Sequence, residues 1–334
     1  LREMLMRKIN GVPVEAHTDL SSLTGGEVLK WSGTNMAWED QDSTGFVPFH
    51  GVGSNYGFTA GGENSGYSDT IDKFSFTSSG NATGHGDLSI NKGNRPGGHS
   101  STTDGYSSGG RPSSYTDVID KFSFSSNTTA ASWGTLTVAR WDGASASSST
   151  DGFYSGGYTG SGTNVIDKFS FSSSSGASDH GDLSVSRNNP AGQNSSDYGF
   201  SSGGWVSGSQ NVIDKFAWSS NTTASDHGDL LNGNRGIAGH SSSTDGFISG
   251  GDGTSNIINK FSFSSNTTAS DHGDIYQARS LAAGTSQTDN GYAAGGYNGS
   301  LVNTIDKFSY ASNTTGSDWG DLTVIRHSSA GQQY

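Results

Sequence analysis

Val118-Ile119-Asp120-Lys121-Phe122-Ser123 is the stretch from which the rest of the chain can be read. Its core, Ile-Asp-Lys-Phe, begins at Ile71, Ile119, Ile166, Ile213 and Ile305, and the variant Ile-Asn-Lys-Phe begins at Ile258. The steps between copies are 48, 47, 47, 45 and 47 residues. Six copies at one period mean six copies of one supersecondary unit, which buries its apolar face only by stacking on its neighbours. Within the stretch, Val118, Asp120, Phe122 and Phe124 share one face, and Ile119, Lys121 and Ser123 share the other. Apolar residues on both faces predict a strand covered on both sides by adjacent units.

The unit around Ile213 shows the remaining elements in order. Ala191 to Ser195 reads as a small-residue strand. Tyr198 to Gly204 reads as a second strand that ends in a Gly pair, where the chain needs positive φ or close backbone approach. A loop from Trp205 to Val212 follows, and Ile213 to Ser219 is the third strand. Asn221-Thr222-Thr223 makes a turn, and Asp229 to Arg235 is expected to hold the fourth strand. Four short strands in about 47 residues is the size of one propeller blade. The expected fold is therefore all-β: a six-bladed propeller over residues 46–334. Two segments compete to complete the first blade, Phe49-His50-Gly51 from one end and Ala330-Gly331-Gln332 from the other.

Gly61-Gly62, Gly109-Gly110, Gly156-Gly157, Gly203-Gly204, Gly250-Gly251 and Gly295-Gly296 each precede an aromatic strand, and Trp133 and Trp319 stand before the end of their units. This pattern resembles the kelch repeat. The chain departs from it at His85, His180, His227 and His272, which occupy the Trp position in the other units. A slot that accepts His or Trp calls for a flat ring, so packing is the expected role of these histidines and not metal binding.

Residues 1–45 do not repeat. Glu27-Val28-Leu29-Lys30-Trp31 and Met36-Ala37-Trp38-Glu39 flank Ser32-Gly33-Thr34-Asn35, which predicts a β-hairpin. Gly26-Glu27-Val28-Leu29-Lys30-Trp31-Ser32-Gly33 followed by Trp38 resembles short modules of bacteriophage tail-fibre and neck proteins. That resemblance implies an N-terminal connector that binds other virion proteins and a homotrimeric assembly. Together with the propeller, it implies a virion structural protein made in the host cytoplasm, whose propeller head attaches to a host-surface glycan or protein. A decoration protein contacting only other virion proteins is the alternative; a glycan-acting propeller enzyme and a bacterial surface adhesin are the remaining readings.

Composition narrows the classes. Gly is 51 of 334 residues and hydrophobic content is 30%, values that fit disorder as well as sheet, but the aromatics recur with the repeat and decide for a folded β protein. The net charge of −13 without basic clusters argues against nucleic acid and anionic membrane as partners. There is no Cys, so no disulfide framework forms. No apolar run approaches a membrane span, and the apolar stretch within Met4–Ile9 is too short for a signal peptide.

The charged residues follow the repeat. Each unit has one Lys in its aromatic strand and one Arg near its end, expected at Arg95, Arg140, Arg187, Arg235, Arg279 and Arg326; within residues 46–334 only Lys92 and Arg111 fall outside that scheme. Charges placed once per blade are read as structural partners of the repeated Asp. The Asn-Thr-Thr motifs match an N-glycosylation acceptor but are read as turns. Ala224-Ser225-Asp226-His227-Gly228 is similar to the sialidase Asp-box, yet lacks its leading Ser/Thr and final aromatic. Copper oxidases with kelch-like propellers use a Cys-linked Tyr, which this chain cannot form. No catalytic residue, metal ligand or cofactor is expected.

The repeat is broken chiefly in the loops after the Gly pairs. The first residue of each loop is Glu63, Arg111, Tyr158, Trp205, Asp252 or Tyr297, and the fifth is Tyr67 or Tyr115 in two of them. All six loops should emerge on one face. Tyr67, Arg111, Tyr115, Tyr158, Trp205, Asp252 and Tyr297 are the candidate ligand-binding residues there, because aromatic rings with few charges suit sugars or a protein patch. The plain alternative is that these rings cover blade edges.

Overall fold

In the computed structural model, residues 55–333 are described in full, together with four paired strand segments nearer the N-terminus. The chain divides into two compact units, Leu1–Pro48 and Phe49–Tyr334. In the first unit, Lys8–Ile9 pairs with Val12–Pro13, and Glu27–Trp31 pairs antiparallel with Met36–Asp40 in the register Trp31 opposite Met36. The expected hairpin is therefore present. The segment Phe49-His50-Gly51 lies outside the described residues.

The second unit is a six-bladed β-propeller, each blade a four-stranded antiparallel meander. In blade 3 the strands are Ala144–Ser147, Asp151–Ser155, Thr163–Ser170 and Ser178–Arg187, from the axis outward. Blade 1 is composite. Its innermost strand is Ala330–Gln333, which pairs with Tyr56–Ala60 in the register Ala330 opposite Ala60. Of the two candidates for ring closure, the C-terminal one makes it. One expected boundary needs correction. The fourth strand of blade 4 is Ser225–Asp229, and Asp229 to Arg235 is mostly the connector to blade 5. This polar segment forms a strand because His227 is buried and anchors it to the next blade.

The blades stack through the residues that reveal the repeat. The second-strand aromatic of each blade lies against an aromatic of the next: Phe58 on Phe124 at 4.8 Å, Tyr106 on Phe171 at 4.7 Å and Phe153 on Trp218 at 4.7 Å. Phe200 on Phe263, Phe247 on Tyr310 and Tyr292 on Phe76 complete the circle. Each stack adds about 0.5–1.5 kcal/mol to the burial of its rings. The His/Trp slot works at the same seams. Trp133 Nε1–H donates to the Ser170 carbonyl at 2.9 Å, and the Nε2–H of His85 donates to the Ser123 carbonyl at 2.8 Å. His180, His227, His272 and Trp319 make the equivalent bond to the following blade. What the slot selects is a flat ring carrying one N–H donor. The Asn-Thr-Thr turns also reach across seams: Asn221 Nδ2 donates to the Asp179 carbonyl at 3.1 Å.

Each repeated Asp is buried with a cation from the connector that leads into its blade. Arg140–Asp167, Arg187–Asp214, Arg279–Asp306 and Arg326–Asp72 are such pairs, and Lys92–Asp120 is the fifth. In blade 5 both partners are neutral, Asn234 and Asn259. The repeat cations are thus Lys92, Arg140, Arg187, Arg279 and Arg326, with Asn234 in the sixth place. Arg95 and Arg235 do not belong to the series, contrary to the sequence expectation. Counting from each Ile-Asp-Lys-Phe core makes this clear in retrospect: the buried position is always 21 residues on, whereas Arg235 is 22 and Arg95 is 24 residues on.

Two belts of hydrogen bonds run around the axis and link neighbouring innermost strands. At the loop end, Asp142 N–H donates to the Asn94 carbonyl, Asn189 to Asp142, Leu281 to Gly236, Ser328 to Leu281 and Arg95 to Ser328, at 2.6–3.1 Å. The donors Arg95, Asp142, Asn189, Leu281 and Ser328 and the acceptors Asn94 and Gly236 all have φ between +53° and +63°. At the opposite end, the N–H of Ser100 donates to Ser147 Oγ, Ser147 to Asn194 Oδ1, Asn194 to Ser241 Oγ, Ser241 to Ser286 Oγ and Gln333 to Ser100 Oγ. Between the belts lie Gly98, Gly192, Gly239, Gly284 and Gly331. A Cβ on any of them would fall against a carbonyl of the neighbouring inner strand, so at these five of the six axial positions the strands approach this closely only with glycine, while Ser145 holds the sixth.

Candidate binding face

Loops between second and third strands and connectors between blades share one end of the propeller. The backbone pairings establish this directly. Tyr158 bridges Trp141, Trp205 bridges Asn188, Tyr297 bridges Ser280, Arg111 bridges Gly93 and Glu63 bridges His327. Each pairing joins the first loop residue to the connector that lies just before the axial belt. The sixth loop is tied to its connector by the Asp252 N–H, which donates to Asn234 Oδ1, so all six loops surround the mouth of the central channel.

The face is chemically unlike its opposite. Among the described residues, eleven large hydrophobic side chains are exposed, and ten of them belong to the loops, connectors or strand ends of this end; Tyr198 alone is at the other. Val138, Tyr276, Val324 and Ile325 line the connectors, and Tyr115 and Tyr297 stand in the loops. The opposite end is built from short Ser/Thr/Asp turns in which a hydroxyl caps the turn. Ser101 Oγ accepts the Asp104 N–H at 3.0 Å, and Ser148 and Ser242 repeat the arrangement. Tyr198 there is covered by Lys215, whose Nζ sits 3.9 Å from the ring centre.

The seven candidate residues fall into distinct settings. Tyr115 and Tyr158 come together with Trp141, which the sequence reading missed. The Trp141 and Tyr158 rings are 5.1 Å apart, and Tyr115 stands edge-on to Tyr158 at 6.2 Å. The Trp141 indole N–H has no acceptor among the described residues. Trp205 and Asp252 come together through Arg235, also missed. The guanidinium lies 3.9 Å over the Trp205 ring, and its Nε donates to Asp252 Oδ1 at 2.9 Å. Asn234 fixes this arrangement, because its Oδ1 accepts the backbone N–H of both Arg235 and Asp252. Tyr67 packs flat on Gly93, where even a Cβ would collide with its ring, so its contribution is packing. Arg111 is half-buried, and its Nε has no acceptor among the described residues. Tyr297 is exposed and stands apart from both clusters.

The channel mouth carries a polar cluster of its own. Arg95 reaches across it to the side chain of Asn189 and donates to the carbonyls of Ile237 at 2.8 Å and Pro190 at 3.4 Å. Asn189 Nδ2 donates to Asp142 Oδ2 at 2.8 Å. Burial pushes the Asp142 carboxyl up to about 7, against the opposing pull of Arg95. Arg95 is the residue inserted into the connector between blades 1 and 2, which accounts for the 48-residue step. The channel behind it is walled by inner-strand backbone and small side chains. No group of three or more His, Asp or Glu residues placed to hold a metal occurs among the described residues.

No protein-family model matches the chain, and no curated protein is significantly similar to it.

Proposed function

We propose that this chain is a bacteriophage virion protein with a kelch-like head, a tail fibre or similar appendage. Its loop face attaches to a glycan or protein on the host cell, and residues 1–45 join it to the particle. The observation that carries this reading is the segregation of exposed side chains. A monomeric surface scatters its apolar residues. Here they gather on the end where loops vary, while the other end is a uniform array of capped polar turns. Rigid strands presenting variable aromatic loops are a common basis for recognition, and Tyr and Trp give large contact area at low entropic cost. The Tyr115–Tyr158–Trp141 corner supplies such rings in one place.

The test is adhesion of the full chain to a panel of bacterial cells. A variant with Tyr115, Tyr158 and Tyr297 changed to Ala is compared with Tyr198→Ala on the opposite face. Saturable adhesion lost in the triple variant and kept in Tyr198→Ala supports the reading. Equal adhesion by both variants, or none by the wild-type chain, refutes it; in the second case a virion decoration role takes its place.

A further inference from the structure

Four departures from the repeat coincide in one sector of the loop face. The loop between the second and third strands of blade 5, which starts at Asp252, is two residues shorter than the other five, which accounts for the 45-residue step. Asn259 stands where the other blades have Asp, and Asn234 stands where the connector has its buried cation. The cation is displaced by one residue, to Arg235. A charge that the other blades bury is here brought to the surface, with the Arg235 side chain 40% exposed.

The displaced Arg235 is held in a defined pose. Trp205 supports one side of its guanidinium at 3.9 Å, and Asp252, itself bonded to Ser209 Oγ, takes its Nε. The two terminal nitrogens make no hydrogen bond to the described residues. With Nε occupied, the edge left open is the one that receives a carboxylate through two parallel N–H···O bonds. A second guanidinium approaches from the axis. Arg95 Nη2 is 2.8 Å from the carbonyl of Ile237, two residues on from Arg235. Both cations that break the repeat therefore hold the chain at the start of blade 5, Arg95 at the Ile237 carbonyl and Arg235 at the shortened loop through Asp252.

We propose that this sector binds an acidic sugar, a pyranose bearing a carboxylate. Its carboxylate pairs with the terminal nitrogens of Arg235, its ring lies along the Trp205 side, and the free lone pairs of Asp252 accept a hydroxyl. The chain's net charge of −13 disfavours a dense polyanion, whereas one carboxylate per sugar matches one exposed fork and one ring. This assignment rests on the adhesive reading of the loop face and gives it a ligand chemistry.

Calorimetric titration of the full chain tests it, with sialyllactose and trigalacturonate as acidic probes. Lactose and the methyl ester of trigalacturonate are their neutral counterparts. The expected result is saturable binding of at least one acidic probe, weakened at least about tenfold in the neutral counterpart and in Arg235→Gln. Lys215→Gln, on the opposite face, should bind as wild type, and melting curves establish that both variants fold. Absence of saturable binding by both acidic probes, or unchanged binding in Arg235→Gln, overturns the proposal. Cell adhesion that persists while both acidic probes fail removes this site and leaves the adhesive reading standing. Acidic-probe binding by a chain that adheres to no cell does the reverse.

Discussion

Replacing Asp167 by Asn is expected to cost far more than replacing Asp167 and Arg140 together by Asn. Both side chains are fully buried, with the guanidinium 2.7 Å from the carboxylate. Arg140 also donates to the carbonyls of Gly156, Tyr154 and Val138, while Asp167 accepts the N–H and hydroxyl of Thr137. In Asp167→Asn the carbonyl bonds remain but the buried cation has no counter-charge, and one Thr137 donor faces an amide N–H2. Removal of one partner of such a pair costs about 3–5 kcal/mol. For a domain of this size, that corresponds to a fall in melting temperature of roughly 6–15 °C. The double variant copies blade 5, where Asn234 donates to the Gly250 carbonyl at 2.9 Å and Asn259 accepts the Leu231 N–H at 3.2 Å. Its cost should be about 1–2 kcal/mol, so a double-mutant cycle should show coupling of about 2 kcal/mol or more. Urea unfolding followed by tryptophan fluorescence, with calorimetry, measures all four proteins. Single-variant losses below about 1 kcal/mol, or strictly additive losses, would show that the charge pairs do not act as units and that blade 5 is no guide to the others.

Gly331→Ala should destabilise by about 2–3 kcal/mol, because its Cβ would meet the Gly284 carbonyl on the opposing strand. Ser145→Gly, at the ring position that already carries a side chain, should stay within about 1 kcal/mol in the same melting assay. Burial lowers His99 and His240 to about 4, with each Nδ1–H given to a neighbouring carbonyl. The unfolded chain then binds more protons than the folded one between pH 6.5 and 4, so stability present above pH 6.5 is lost as pH falls through that window. Changing both to Gln, the residue at the equivalent Gln193, should remove most of this acid-side loss, seen as a smaller drop in melting temperature from pH 7 to 4.5. Asp142 acts with the opposite sign. Its raised pKa means that the folded state holds the proton more tightly, so its contribution is full below about pH 4 and is lost as pH rises through about 7. Asp142→Asn should therefore flatten the stability profile between pH 4 and 7, and an unchanged slope over that range would refute the assignment.

The ring was legible because its determinants lie at fixed offsets from one motif. Each Ile of the Ile-Asp-Lys-Phe core is fully buried, the aromatic two residues beyond each core Phe packs at a seam, and the Gly pairs sit where φ is positive. Closure was not decidable, since Ala330-Gly331-Gln332 and Phe49-His50-Gly51 are both short segments placed to supply a first strand from opposite ends of the array, and only pairing with Tyr56–Ala60 distinguishes them. The Ser225–Asp229 strand was misplaced because its sequence is that of a loop; its burial comes from His227 reaching a carbonyl in another blade, which local pattern does not encode. On the candidate face, the loop positions were legible as breaks in the repeat. Arg235 and Arg95 were absorbed into the repeat because they were counted by residue type and not by distance from the core. Trp141 was missed because it lies in a connector. Whether two such residues touch depends on loop conformations that no repeat dictates.

Closure by Ala330–Gln333 also has a consequence in time. The strand Tyr56–Ala60 leaves the ribosome with its axial edge unpaired, and its partner is synthesised some 270 residues later. At about 5–20 residues per second, blade 1 waits roughly 15–55 s for its innermost strand. Over that interval the other five blades can form one against the next. The seam between blades 6 and 1 also stays open, because the Tyr292–Phe76 stack joins the two ends of the array. An edge held open for so long is an invitation to another nascent chain. The brevity of the edge and its Gly57 and Thr59 make it a poor template for that pairing, and leave it to a strand whose only complete set of partners is in its own ring.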